Sequence, residues 1–369
     1  MYAESMGMRL AALLEPCAAA RKGGWFITRD LKSGQENRGV AVRLPQLTDF
    51  KPVLRQHCLT VFKTETYTGL MMNRRLPAAV LVLALLGAAP WLHAQAARRA
   101  LYVSALDKTG APVSDLAPAD IAVREDNVAR EVLTVAPAVE PMQIAVLVDN
   151  SQAAAPFIRD YREALAAFVD ALTNGERPGT RNEVAIITVA ERPTIATDYT
   201  TDRGALVKSA QRIFSSTDSG AYLLDAIIET SQGMTKRRSP RPVIAAIATE
   251  EGPELSDRFY QQVLTTLRAS GAALHVIVVG RRTNDSHDRS FVISEGPRST
   301  GGQSDSLLTS TALTGRLKRL AAELTHQFRV TYSRPQSLIP PERITVSAAR
   351  PGLTVRGTPV VADREQERP

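Results

Sequence analysis

The sequence predicts an α/β protein: a doubly wound, mostly parallel sheet, with a small β-domain formed by flanking N- and C-terminal strands. Three observations carry this expectation. Residues 143–148, 184–189, 242–248 and 273–279 are continuous apolar runs, as strands covered on both faces require. Helical segments stand between or after them at 156–173, 202–214, 222–234, 256–269 and 311–326, and strand–helix alternation builds a parallel sheet. Short strand-like segments precede the first apolar run and follow the last helix.

The elements follow in order. Residues 100–106 suit a strand and Asp107-Lys108-Thr109-Gly110 a turn. Residues 121–125 alternate, Asp126-Asn127 is a second turn, and 131–135 is a further strand. Pro137 and Pro141 bracket a linker into the first buried strand. Phe157, Tyr161, Leu165, Phe168 and Leu172 recur at helical steps, and Asn174-Gly175 ends that helix. Residues 192–199 read as an edge strand, where Pro193 is tolerated. Residues 281–305 are rich in Gly, Ser and Asp and read as a long exposed loop. Residues 327–332 read as the last strand of the α/β body, which spans 141–333. The tail, 334–369, offers strands at 343–348 and 353–356, expected to pair with the β unit of 97–140, and then a charged end.

An export signal stands inside the chain. Asn73-Arg74-Arg75 is basic, 76–92 is almost wholly apolar, and Ala94-Gln95-Ala96 supplies the small residues of a cleavage site. Residues 71–96 therefore read as a signal peptide, with an uncleaved N-terminal anchor as the alternative. The apolar run is at the short limit for spanning roughly 30 Å of hydrocarbon. Residues 1–70 show no sustained apolar period, and read as a disordered extension from a misassigned start, with translation beginning at Met71 or Met72. A genuine cytoplasmic extension is the alternative. The expected location is periplasmic or secreted.

The chain carries a net charge of +7, but the excess lies in residues 1–75. Beyond them basic and acidic residues nearly balance, so the charge gives no case for a nucleic-acid partner, or for a membrane unless the signal stays uncleaved. Both cysteines, Cys17 and Cys58, lie in the same segment. The remainder can have no disulfide, no thiolate metal site and no cysteine nucleophile.

Ligands of an open α/β sheet gather at the carboxyl ends of its strands. The first such end is Val148-Asp149-Asn150-Ser151-Gln152-Ala153. A carboxylate followed two residues later by a hydroxyl can place two hard oxygen ligands in one loop, as Mg²⁺ prefers.

This loop, the strand–helix order and the flanking β segments resemble the bacterial VWFA-related proteins, exported proteins with a von Willebrand factor A-like core. The resemblance covers roughly 98–358. It implies a metal-ion-dependent adhesion site built from Asp-x-Ser-x-Ser, a later Thr and a later Asp, where the metal completes its shell with an acidic residue of a protein partner. Asp149 and Ser151 match the first two ligands. Ala153 stands at the second Ser and Ala221 at the Thr, with Thr217 and Ser219 nearby. Glu250, or Glu251 if the loop shifts by one, stands at the Asp. The implied metal residues are thus Asp149, Ser151 and Glu250, in a degenerate site with Mg²⁺ as the cofactor it would take.

Other candidates are weaker. His275 lies in a buried strand, His287 in the polar segment and His326 at a helix end, with no zinc-like spacing. Lys236-Arg237-Arg238 reads as a solvated loop. No nucleophile elbow or phosphate loop occurs, and no catalytic residue is assigned. The expectation is a non-enzymatic protein-interaction module. The alternatives are an exported hydrolase using Asp149 or Glu250 as a base, and a structural assembly module.

Overall fold

The computed structural model describes residues 96–173, 181–281, 285–336 and 339–361. The extension of 1–70 lies outside them, as does the export segment except Ala96, which opens the first strand.

The chain begins with β1 (Ala96–Leu106), β2 (Ile121–Glu125), β3 (Val128–Arg130) and β4 (Val132–Pro137). The α/β body follows as β5 (Gln143–Val148), α1 (Ile158–Thr173), β6 (Glu183–Thr188) and β7 (Thr194–Thr200). It continues through α2 (Arg203–Gln211), α3 (Leu223–Arg237), β8 (Pro242–Thr249), α4 (Tyr260–Ser270) and β9 (Ala273–Val279). It closes with α5 (His287–Thr300), β10 (Ser304–Leu307) and α6 (Leu313–Thr325). Last come β11 (Phe328–Pro335), β12 (Ile344–Ala348) and β13 (Thr354–Pro359). Among the described residues, no helix is long and apolar enough to cross a membrane.

The body's sheet has the order β10-β9-β8-β5-β6-β7, with all pairs parallel except the edge pair β6–β7. Its central strand explains its own composition. Ile144, Val146 and Val148 turn to one face, onto Tyr161, Leu165 and Phe168 of α1, Leu206 of α2 and Leu317 of α6. Ala145 and Leu147 turn to the other, among Leu224 and Ile227 of α3, Val263 of α4 and Val292 of α5. With helices on both faces, both sets of side chains from 144 to 148 are apolar, so the pattern is a run and not an alternation. The doubly wound, mostly parallel sheet expected from the sequence is the one found.

The β unit is assembled from both ends of the described chain, as anticipated. One antiparallel sheet runs β13-β1-β11-β4 and a second β12-β2-β3. They enclose Leu101, Val103, Ile121, Val123, Phe328 and Val330. Glu125 is buried there, and is met by Arg130 at 2.9 Å, Arg334 at 3.2 Å and the Tyr332 hydroxyl at 2.8 Å.

Two expectations are corrected. Residues 281–305 are not a loop: they hold α5 and β10. The buried face of α5 is Arg289, Val292, Ile293, Gly296, Pro297 and Thr300, a helical spacing obscured by a Gly, a Pro and two polar residues. The 327–332 strand does not end the α/β body. As β11 it pairs with β1 and β4, so the body closes at α6 and not at 333. Its burial alternates strictly, the mark of a strand with one face on a core and one outside. A short strand, β3, was not foreseen. Asp126 and Asn127, at φ of 46° and 68°, make the tight turn that folds it back on β2.

The body and the β unit are fastened by buried polar groups. Arg241 donates to Gln327 Oε1 at 2.7 Å, to the Leu324 carbonyl at 2.5 Å and to the Glu140 carbonyl at 3.3 Å. Gln327 in turn donates to Ser104 Oγ at 2.9 Å, and Arg356 of β13 pairs with buried Glu323 at 2.6 Å.

His275 lies beside this seam, fully buried, with no hydrogen-bond partner for either ring nitrogen among the described residues. Burial holds it down to about 4; Glu323 and Asp305 oppose that shift, while Arg356 and Arg316 add to it. The unfolded chain takes up the same proton near 6.5. Between these values the unfolded state holds more protons, so stability present above pH 6.5 is lost as pH falls toward 4, by up to about 3 kcal/mol. Burial alone would raise Glu323, but the Arg356 guanidinium, and His275 once it takes up its proton, hold it below its usual range, so it contributes in the same direction at lower pH. His275→Leu is expected to flatten the denaturation midpoint between pH 6.5 and 4. An unchanged profile would assign the acid sensitivity elsewhere.

Candidate functional site

The carboxyl ends of β5, β6, β8, β9 and β10 meet at one end of the body, here called the crown. Asp149 leaves β5 into it and is buried, at 1% exposure. Its Oδ1 accepts from the Ser151 amide at 2.9 Å. Its Oδ2 accepts from the Thr249 amide at 3.0 Å and from the Thr249 hydroxyl. Both oxygens are therefore directed at protein donors, tying the exit of β5 to the end of β8. Tyr161 of α1 lies beside Thr249; burial first, and then the charge of Asp149, raise its hydroxyl well above the ordinary range.

Ser151 is buried in the same loop. Glu250 follows the end of β8 on the facing loop. Its Oε2 lies 3.7 Å from Nη1 of Arg289. Arg289, on the first turn of α5 and 2% exposed, also donates to the Thr249 carbonyl at 2.5 Å and lies 3.7 Å from buried Glu254. Burial pushes Glu254 up, and Ser256 and Arg289 draw it partly back.

The two alanines are part of the same closure. Ala153 lies against Gly252, at φ +84°, where an added Cβ would stand 2.7 Å from the Ala153 methyl. Ala221 receives the Leu255 amide on its carbonyl at 2.8 Å and gives its own amide to Pro253 at 3.0 Å. Ser219, the alternative oxygen, donates to the Ser216 carbonyl at 3.1 Å. An octahedral cation needs convergent oxygens with open lone pairs. Here methyl groups stand at 153 and 221 in place of two oxygens, Glu250 faces a guanidinium, and Asp149 shares its oxygens with the Ser151 and Thr249 donors. The residues present do not fit Mg²⁺.

Asp149, Ser151, Ala153, Ala221 and Glu250, singled out in the sequence, all lie on crown loops. Arg289 and Glu254 were not singled out. The signal for Arg289 was the helical spacing from Arg289 through Ile293 to Thr300, within the segment read as loop. The remaining candidates have local explanations. His287 begins α5 and meets the Tyr260 ring edge-on at 6.0 Å. His326 Nδ1 contacts the Ala322 carbonyl at 2.7 Å. Arg237 pairs with Asp198 at 3.0 Å and lies over the Tyr199 ring.

No protein-family model and no curated protein matches the chain. Solved structures do. A von Willebrand factor type A protein from Catenulispora acidiphila is similar at TM-score 0.42 and 10% identity, over 72% of this chain and 74% of that one. Proximal thread matrix protein 1 from the mussel byssus, with a zinc-occupied MIDAS motif, is similar at TM-score 0.40 and 14% identity, over 57% of this chain and 50% of that one. The vWF domain of the type V pili tip protein Mfa5 from Porphyromonas gingivalis is similar at TM-score 0.39 and 8% identity, over 51% of this chain and 96% of that one. At these levels none lends this chain a residue role. By its own strand order and its antiparallel edge strand, the α/β body is the doubly wound, mostly parallel sheet that the sequence predicts, with the Asp149 loop at the exit of its central strand.

Proposed function

We propose that the protein is an exported, non-enzymatic interaction module that docks a protein partner on the crown. The observation that carries this is where its exposed apolar side chains lie. Phe214, Leu255, Phe259 and Leu308 are four of ten large apolar residues left exposed among the described residues, and all four sit on crown loops. Phe214 and Leu255 frame one continuous stretch. Asn150 donates to the Phe214 carbonyl, Gln152 bonds the Ser219 carbonyl, and Leu255 packs over Gly220. Apolar anchors set among satisfied polar groups are the usual make-up of a docking surface. The charge and cleavage pattern of 73–96 supports export. The engagement of Asp149 and Glu250 with protein donors supports a role other than base catalysis.

Capture from envelope extracts tests the reading. The double variant Phe214→Asp, Leu255→Asp is expected to weaken partner retention at least about tenfold. Leu133→Asp, on β4 of the β unit, is expected to retain it. Identical partner sets for wild type and both variants would sink the crown as the docking face.

A further inference from the structure

We propose that the Arg289 guanidinium is the resident cation of the crown: it holds the loops together in place of a divalent metal, so that the crown keeps its shape without one. The geometry forms one connected path. Arg289 reaches from α5 to the Thr249 carbonyl at 2.5 Å. The amide and hydroxyl of that same Thr249 are held by Asp149, whose other oxygen holds the Ser151 amide at 2.9 Å. Three chain segments, the loop after β5, the loop after β8 and the start of α5, are thereby locked through a single residue, Thr249.

The charges agree. Arg289 lies 3.7 Å from each of Glu250 and Glu254, and its own exposure is 2%. A buried guanidinium is tolerable only with anionic company, and two carboxylates supply it. Guanidinium keeps its proton at every physiological pH and presents several donors in a fixed plane. It can therefore hold the Thr249 carbonyl by a hydrogen bond while its charge faces the two carboxylates at 3.7 Å. A cation entering beside Asp149 would have to share its oxygens with the Thr249 and Ser151 donors and work against this positive charge.

The test uses full-length protein and two readouts, thermal melting and amide hydrogen exchange at 149–154 and 249–254. Wild type is expected to give the same melting midpoint and the same exchange in chelator and in millimolar Mg²⁺ or Mn²⁺. Arg289→Met is expected to speed exchange at those amides about tenfold or more, whatever the metal. A metal-dependent rise in the wild-type midpoint that Asp149→Ala abolishes would overturn the proposal. So would unchanged exchange in Arg289→Met. Should Arg289→Met fail to fold, the wild-type metal response decides alone. Neither readout involves a partner, so the result is independent of whether the crown docks one.

Discussion

Gly302→Ala is expected to be the most damaging single methyl that can be added to this protein. Gly302 follows the end of α5, where its amide donates to the Pro297 carbonyl at 2.9 Å. A Cβ there would stand 1.8 Å from the Leu274 carbonyl oxygen and 2.6 Å from its carbon. Both sides of that clash are backbone, so no side chain can rotate away. Either α5 withdraws or β9 moves, and β9 carries Leu274, Val276 and Val278 in the core against α3, α4 and α5. The expected loss exceeds about 4 kcal/mol, at the upper end of single substitutions, because core elements are forced apart. Gly315→Ala is the control. Gly315 lies in α6 with nothing within 4 Å of an added Cβ, and an exposed helical alanine should gain up to about 1 kcal/mol. Denaturant midpoints of the two variants should move in opposite directions. A Gly302→Ala midpoint near that of wild type would mean that α5 does not approach β9 as described.

Asp149→Ala is expected to cost roughly 4 kcal/mol, because it removes one ionised acceptor from three donors at once. Two of those donors are backbone amides in a buried loop, and an orphaned buried amide is among the costlier defects a fold can carry. Asp149→Asn sharpens the point. An ionised Asp only accepts, and both of its oxygens face donors. An amide must turn its NH₂ toward either Ser151 or Thr249, setting donor against donor. Asn, close in size to Asp, should therefore recover little of what Ala loses. Equal stability of the Asn variant and wild type in chemical denaturation would refute this role for Asp149.

Much of the body was legible because its strands are covered on both sides. Apart from Gln143 and His275, every residue at 143–148 and 273–279 is apolar, and such runs stand out in a sequence. α5 was illegible because its inward face includes Arg289, Gly296, Pro297 and Thr300, each chosen for a neighbour and not for hydrophobicity. Gly296, for instance, lies where a Cβ would stand 2.9 Å from Leu274. β11 was recognised as a strand but assigned to the wrong sheet, since a sequence shows periodicity and not partners. The crown divides in the same way. Asp149 and Ser151 are two residues apart at a strand exit, a local pattern. Arg289 is 40 residues from the Thr249 it grips, and only the crossover of α5 brings them together.

The pairing of β1 with β11 and β13 has a consequence for the order of assembly. Leu101 lies opposite Val330 on one side and Pro359 on the other, so the strand that begins the described chain is an inner strand whose two neighbours come last. Closing so long a loop is slow relative to forming the local strand–helix units between. The α/β body can condense first, while Leu101 and Val103 wait uncovered for the final strands. Until they arrive the nascent chain carries a sticky, unfinished edge, and a copy cut short before Phe328 would carry it for good. Such a chain invites pairing with the same edge of a sister molecule.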